Sequence, residues 1–162
     1  MFIGRKEELN FLEDRYNSAD GQLIVLYGRR RVGKTELLRQ FCQDKEHIFY
    51  TCTEIIDEKQ LEAFSQRLLE KNHQAAKYIT HFSDWEQALL SISELAKDKK
   101  IVVVIDEFSY MLKGNNAIPS ILQKLWDEVL KQSNVMLILC GSAISFIEKE
   151  VLAEKNPLYG RA

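Results

Sequence analysis

Three short, mostly apolar runs stand out along the chain, at residues 22–27, 101–105 and 135–140. Each is too short for a typical helix and is rich in branched aliphatic side chains. A continuous run of this kind is typical of a strand that is buried on both faces of a parallel sheet. A fourth strand is predicted over 47–52. The apolar pattern therefore predicts a sheet of at least four strands.

Segments with apolar residues at helical spacing separate these strands. The predicted helices cover residues 5–18, 35–42, 57–70, 84–96 and 119–131. In each segment apolar side chains recur three or four residues apart, so one face of the helix is expected to be buried. Residues 113–116 are predicted to form a loop. Phe108, Tyr110 and Met111 are expected to pack against this loop and the next helix, with contact to a partner as the less favoured alternative. Alternating strands and helices predict a three-layer α/β fold with a mostly parallel central sheet.

A glycine-containing loop joins the first strand to the next helix, and it reads Gly28-Arg29-Arg30-Arg31-Val32-Gly33-Lys34-Thr35. This sequence fits the phosphate-loop pattern G-x-x-x-x-G-K-[ST]. Its glycines let backbone N–H groups approach phosphate oxygens, and the following helix adds the positive end of its dipole. Lys34 is expected to contact the β- and γ-phosphates and Thr35 to bind Mg²⁺, with Glu36 beside them. The loop predicts that the chain binds a nucleoside triphosphate.

Two acidic residues, Asp106 and Glu107, directly follow the run at 101–105. A carboxylate at the carboxyl end of a buried strand is suited to hold Mg²⁺, commonly through a water, so Asp106 is a predicted metal ligand. Glu107 is predicted to orient and deprotonate the attacking water. Two acids after a strand are otherwise an ordinary loop start, and the upstream phosphate loop favours the catalytic interpretation.

The run at 135–140 ends in Gly141 and Ser142, a small polar pair. Ser142 is predicted to hydrogen-bond the γ-phosphate or the attacking water. A serine after a strand is also a good helix N-cap. The two roles are compatible, and both stay open here.

Composition and charge limit the number of domains and the kinds of partner that the chain can have. The chain has 162 residues, 46% of them hydrophobic, which predicts one domain with a hydrophobic core. Together with the phosphate loop, this predicts one nucleotide-binding domain over 1–162. Its net charge of -2 gives no global basic surface for nucleic acid. The dense basic patch, Arg29 to Arg31, is expected to face solvent, the nucleotide or a neighbouring subunit.

Cysteine usage and hydropathy indicate the compartment. Cys42, Cys52 and Cys140 are odd in number and lie in apolar segments, which predicts reduced core thiols. The histidines show no metal-ligand spacing, so Mg²⁺ is the only metal expected. No apolar stretch reaches about eighteen residues and the N-terminus is not a secretory signal, so a cytoplasmic protein without a membrane span is predicted.

Further motifs at the two ends carry a family resemblance. The chain begins with Phe2-Ile3-Gly4-Arg5-Lys6-Glu7-Glu8-Leu9, similar to a G-R-x-x-E-x-x-L signature, and closes with Pro157-Leu158-Tyr159-Gly160-Arg161, similar to a P-L-Y-G-R stretch. With the phosphate loop and the acidic pair, these motifs resemble the AAA-type P-loop ATPases of the prokaryotic archaeal-ATPase group and the related STAND NTPases. The resemblance covers essentially the whole chain.

The resemblance implies roles for individual residues. It implies that Ile3 and Arg5 lie near the adenine, and that Ser142 senses the γ-phosphate. It implies that Mg-ATP is held and hydrolysed by Lys34, Thr35, Asp106 and Glu107. Arg161 matches a position that serves as an arginine finger, with a solvated terminal arginine as the alternative. No N-K-x-D guanine-reading motif follows a strand, which favours ATP over GTP.

The resemblance also implies a five-stranded sheet in the order 5-1-4-3-2, followed by a lid or winged-helix domain. Only four strands are predicted here, so we expect an N-terminal fragment that is truncated before the fifth strand and the lid. The strand at 22–27 would then form a sheet edge, and we expect a neighbouring chain, as in a homo-oligomer, or a terminus to cover it.

Two functions are compatible with these residues. One is an ATP hydrolase that drives or gates conformational change in attached domains. The other is a nucleotide-gated switch or assembly module with little or no turnover. A small-molecule kinase is less favoured, because the Asp106-Glu107 pair suits water activation. Nucleic acid is expected to be contacted only through domains outside this chain.

Overall fold

The computed structural model describes residues 6–27, 33–71 and 73–141. Its strands are β1 (Gln22–Tyr27), β2 (His47–Thr51), β3 (Ile101–Asp106) and β4 (Val135–Gly141). They form one parallel sheet in the order β1-β4-β3-β2. All the predicted strands are thus confirmed, with ends that differ by at most one residue.

Helices of the described residues fill the intervals between the strands. They are α1 (Lys6–Tyr16), α2 (Lys34–Cys42), α3 (Asp57–Leu69), α4 (Trp85–Leu90), α5 (Ile92–Leu95), α6 (Phe108–Gly114) and α7 (Ile118–Glu128). Single 3₁₀ turns occur at Gln74–Lys77 and at Leu130–Gln132. Within the described ranges, no helix is long and apolar enough to cross a membrane.

The structure corrects the helix predicted over 84–96, which is divided into α4 and α5 at Ser91. The Ser91 hydroxyl donates to the carbonyl of Ala88 at 2.7 Å. A continuous α-helix would use that carbonyl for the N–H of Ile92, so the serine side chain competes with the helical hydrogen bond.

A second correction concerns the segment after Glu107, which forms α6 although no helix was predicted there and residues 113–116 were predicted to be a loop. Phe108, Met111 and Leu112 are buried on one face of this short helix. Their spacing of three and four residues is the helical signal, although it extends over only two turns. The loop starts at Asn115, so Lys113 and Gly114 belong to the helix.

Two hydrophobic clusters on opposite faces of the sheet make a three-layer architecture. One cluster packs α1 and α2 against the sheet through Leu12, Leu38 and Phe41. The other packs the remaining helices on the opposite face, and it includes the rings of Phe64 and Trp85, whose centroids lie 5.6 Å apart. The central strands β3 and β4 are buried along their whole length. The predicted α/β class is confirmed.

Two lysines fix α1 to the rest of the domain. The Lys45 Nζ atom donates to Glu13 Oε1 at 2.6 Å and to the carbonyl of Phe41 at 2.9 Å, with only 5% of its side chain exposed. The Lys100 Nζ atom donates to the carbonyls of Tyr16 at 2.5 Å and Ser18 at 2.6 Å. Lys100 thereby pairs the carbonyl of Tyr16, the last residue of α1, which has no partner within the helix.

Strand β1 has one strand neighbour, β4, within the part of the chain that the structure describes. This arrangement agrees with the 1-4-3-2 portion of the order implied by the family resemblance. The expectation that another chain or a terminus covers the outer side of β1 stays a prediction.

Candidate active site

The candidate site lies where the parallel strands end. The carboxyl ends of β1, β3 and β4 lie near the N-terminus of α2. Gly33, the N-cap of α2, has φ 79°, a left-handed conformation that glycine adopts without the steric cost of a Cβ atom. Its carbonyl accepts the N–H of Leu37 at 2.9 Å, which closes the first turn. Gly33 therefore places Lys34 and Thr35 at the start of the helix, where a phosphate group is favoured.

The two predicted metal ligands lie in direct contact. Thr35 Oγ1 donates to Asp106 Oδ2 at 2.9 Å, joining residues 71 positions apart in the chain. Asp106 is 4% exposed, at the last position of β3. A hydroxyl and a carboxylate oxygen are hard donors of the kind that Mg²⁺ prefers, so this pair fits a magnesium ion.

Backbone hydrogen bonds hold Asp106 in this position. Its Oδ1 atom accepts the N–H of Glu107 at 2.9 Å. Its carbonyl accepts the N–H of Cys52 at 2.9 Å, from the segment just after β2. Oδ1 and Oδ2 thus each accept a hydrogen bond, from the Glu107 N–H and the Thr35 hydroxyl. These bonds fix the orientation of the carboxylate, with Oδ2 directed at α2.

Electrostatics show which predicted residues converge. Cys140, buried in β4, has a raised pKa, mainly because it is desolvated and also because the Asp106 and Glu107 carboxylates lie nearby. The Lys34 ammonium acts on the same thiol and lowers its pKa. The candidate phosphate-binding lysine, the metal ligand and the base therefore all lie within electrostatic reach of one buried sulfur atom.

The buried cysteines are neutral thiols, as expected from the sequence. Cys42, Cys52 and Cys140 are all free and buried. Burial raises the pKa of Cys42 to about 12 and also raises that of Cys52. The positions of Cys52 and Cys140 on either side of Asp106 were not predicted. The available signal was that each lies at the carboxyl end of a strand next to β3.

Glu107 has a strained backbone. Its φ of 54° and ψ of 43° are left-handed, and among the described residues other than glycine it alone has a positive φ. Such a conformation costs about 1–2 kcal/mol for a residue with a Cβ atom. Strain of this kind concentrates at functional sites. The strain thus falls on the residue predicted to act as the base.

We expect Glu107→Gly to be more stable than Glu107→Ala by about 1 kcal/mol, because both lack the carboxylate and only glycine avoids the left-handed penalty. Urea unfolding of the two variants measures the difference. Equal stabilities, or a more stable alanine variant, would contradict the strain at this position.

The remaining predicted site residues divide into two groups. Glu36 is exposed on the first turn of α2, beside Thr35. The others lie outside the described residues: Ile3, Arg5, Gly28, Arg29, Arg30, Arg31, Val32, Ser142 and Arg161. Their roles stay predictions.

Comparison with known proteins bears on the family resemblance that the sequence motifs carry. A family model for an ATPase domain predominantly from Archaea matches residues 2–162. An uncharacterized protein of Methanocaldococcus jannaschii is 37% identical over 161 residues, which make up 99% of this chain and 34% of that protein. An uncharacterized ATP-binding protein of the same organism is 56% identical over 46 residues, or 28% of this chain and 78% of that protein. The chain thus spans 34% of the length of the first relative.

Solved structures share the fold. A Walker-type ATPase of Pyrococcus abyssi aligns with a TM-score of 0.73 at 23% identity, covering 100% of this chain and 52% of that one. Cdc6p of Pyrobaculum aerophilum aligns with a TM-score of 0.63 at 17% identity, covering 91% of this chain and 41% of that one. The resemblance drawn from the sequence motifs is confirmed. Because the family model matches nearly every residue, the chain belongs to the family of ATPase domains found predominantly in Archaea.

Proposed function

We propose that the chain is a nucleotide-binding domain, over residues 1–162, that binds Mg-ATP and hydrolyses it to ADP and phosphate. The contact between Thr35 and Asp106 carries this proposal, because it joins the start of the phosphate-binding helix to the end of β3. Glu107 follows Asp106 directly, so a metal ligand and a base lie at adjacent positions. This order of groups suits in-line attack of water on a terminal phosphate.

The four site residues that the structure describes each have one role in the proposed reaction. Lys34 contacts the β- and γ-phosphates, while the first turn of α2 offers its N–H groups to phosphate oxygens. Thr35 and Asp106 hold Mg²⁺, which neutralises phosphate charge when bound. Glu107 orients the attacking water and accepts its proton. The buried position of Asp106 limits competition from bulk water for the metal ligands.

Residues outside the described ranges complete the proposed site. Gly28 to Val32 surround the phosphates, and Ile3 and Arg5 lie near the adenine. Ser142 detects the γ-phosphate, and Arg161 supplies positive charge to the transition state. These assignments are supported by the motifs and by the family to which the chain belongs.

The ATP cycle is proposed to drive or gate conformational change in attached domains. The chain spans 34% of its first Methanocaldococcus jannaschii relative and 52% of the Pyrococcus abyssi ATPase, so proteins of this kind extend well beyond the nucleotide-binding domain. Specificity for a process then resides in those further regions.

Equilibrium binding of Mg-ATP, with Mg-GTP as competitor, tests the proposal. We expect Lys34→Ala to weaken Mg-ATP binding about thirtyfold, because it removes a charge-assisted contact worth about 2 kcal/mol. The matched control is Lys59→Ala, at an exposed lysine of α3 that pairs with Glu62 at 3.9 Å. Equal binding by the wild type and Lys34→Ala, or preference for GTP, would contradict the proposed site.

A further inference from the structure

Strand β2 forms the second edge of the sheet. The N–H of Val102 donates to the carbonyl of Glu46 at 3.0 Å, and the N–H of Cys52 donates to that of Asp106 at 2.9 Å. These two bonds show which residues of β2 pair with β3. The even-numbered residues from 46 to 52 direct their N–H and C=O groups toward β3. His47, Phe49 and Thr51 consequently turn their N–H and C=O groups outward. Within the described residues no strand pairs with that outer side.

A groove follows this edge between α2 and α3. It has a volume of about 340 Å³, and its lining includes Arg39, Phe49, Arg67 and Lys71. The Arg39 guanidinium lies 4.3 Å from the centroid of the Phe49 ring, so a cation–π contact holds it over the strand. The two helices come from opposite layers of the fold, and each brings at least one cation to the groove.

Positive charge exceeds negative charge in this groove. Arg39, Arg67 and Lys71 face one lining carboxylate, Glu70. Lys71 also pairs with Glu46 at 3.5 Å, but that carboxylate is shared with Lys99, at 3.8 Å. After these pairs are counted, the groove retains a net positive charge.

We propose that the outer edge of β2 binds an acidic peptide segment of a partner protein in extended conformation, which adds a strand to the sheet beside Arg39 and Arg67. The outward N–H and C=O groups of His47, Phe49 and Thr51 are alternating donors and acceptors. The backbone of an extended peptide can hydrogen-bond to all of them. A nucleic-acid backbone would use the donors and leave the carbonyls unpaired. Side chains of an added strand alternate between the α2 layer and the α3 layer. Acidic residues on either face therefore meet a cation.

A blocked peptide of about eight residues, in which Glu-Glu and Val-Val pairs alternate so that both faces of the added strand carry acids, tests this proposal at low ionic strength. We expect it to bind the protein, and we expect Arg67→Glu to weaken binding about tenfold, because an attractive pair becomes repulsive. Lys59→Glu is the matched control, since it makes the same charge change at an exposed position of the same helix, away from the lining of the groove. It should change the affinity less than twofold.

Three comparisons complete the test. Hydrogen exchange should slow at the amides of Phe49 and Thr51 when the peptide binds, because those N–H groups gain partners. A peptide in which Lys replaces Glu, or one with N-methyl groups along its hydrogen-bonding edge, should bind at least tenfold more weakly. The proposal is overturned by absent binding, by unchanged affinity in Arg67→Glu, by tighter binding of a single-stranded oligonucleotide, or by a dimer of the protein that occupies this edge.

Discussion

Replacing Glu107 by Gln is expected to lower the rate of ATP hydrolysis by roughly 10²–10⁴-fold and to leave Mg-ATP binding within about twofold. The amide has nearly the same shape as the carboxylate but cannot accept a proton from water. Since the substitution does not alter the Cβ atom, the left-handed backbone at φ 54° carries the same penalty in both proteins. Single-turnover phosphate release gives the hydrolysis rate, and equilibrium titration with Mg-ATP gives the affinity.

A conservative change at a distant acid separates this effect from a loss of charge. Glu58, in the first turn of α3, is exposed, so Glu58→Gln removes the same charge and should hydrolyse ATP at the wild-type rate. If Glu107→Gln hydrolysed ATP as fast as the wild type, Glu107 would not be the base. If the wild type itself bound ATP without measurable turnover, the domain would be a nucleotide-gated switch.

Gly21→Ala is expected to destabilise the protein by about 3 kcal/mol. A Cβ atom at residue 21 would lie 2.3 Å from the carbonyl oxygen of Leu130 and 3.1 Å from that of Lys131. Both obstacles are backbone atoms, so a rotamer change cannot relieve the clash. The Gly21 N–H also donates to the Lys131 carbonyl at 2.9 Å, and moving the two segments apart would weaken this bond. The midpoint of urea unfolding measures the loss.

Gly114→Ala provides the control for the effect of adding a methyl group. Its Cβ atom would meet the Cα and Cβ atoms of Asp57 at 3.5 Å, which is ordinary van der Waals contact. Gly114 is the last residue of α6, where alanine has the better helix propensity. We therefore expect its stability to stay within about 0.5 kcal/mol of the wild type. Similar stabilities of the two alanine variants would show that residue 21 is not closely packed.

Strands β1, β3 and β4 could be predicted because their apolar runs are nearly continuous, and a strand buried on both faces needs such a run. Short helices were less accessible. Residues Phe108 to Gly114 form α6 with only two turns of periodicity, and burial of Phe108, Met111 and Leu112 against the sheet stabilises it. The division at Ser91 depends on a side-chain bond to Ala88, which spacing alone does not reveal.

The candidate site was partly predictable for a similar reason. Thr35 and Asp106 belong to motifs with known spacing from a strand and a helix, so both were predicted to be metal ligands, and the structure brings them within 2.9 Å of each other. The groove beside β2 was not, because its residues come from three separate elements and match no motif. Arg39 and Arg67 lie on different helices and come close only because both helices flank β2 in the folded sheet.

That strand order also affects synthesis of the chain. Strand β1 precedes the phosphate-binding helix, yet its register places Gln22 beside Met136 and Leu26 beside Cys140, in the strand farthest along the described chain. Pairing between such distant segments is slow, because a long loop must close before any contact forms. During translation the apolar β1 therefore remains unpaired until β4, its neighbour in the sheet, has left the ribosome. The nascent domain is a candidate client for chaperones throughout that interval, and it acquires its nucleotide site only after β4 has emerged.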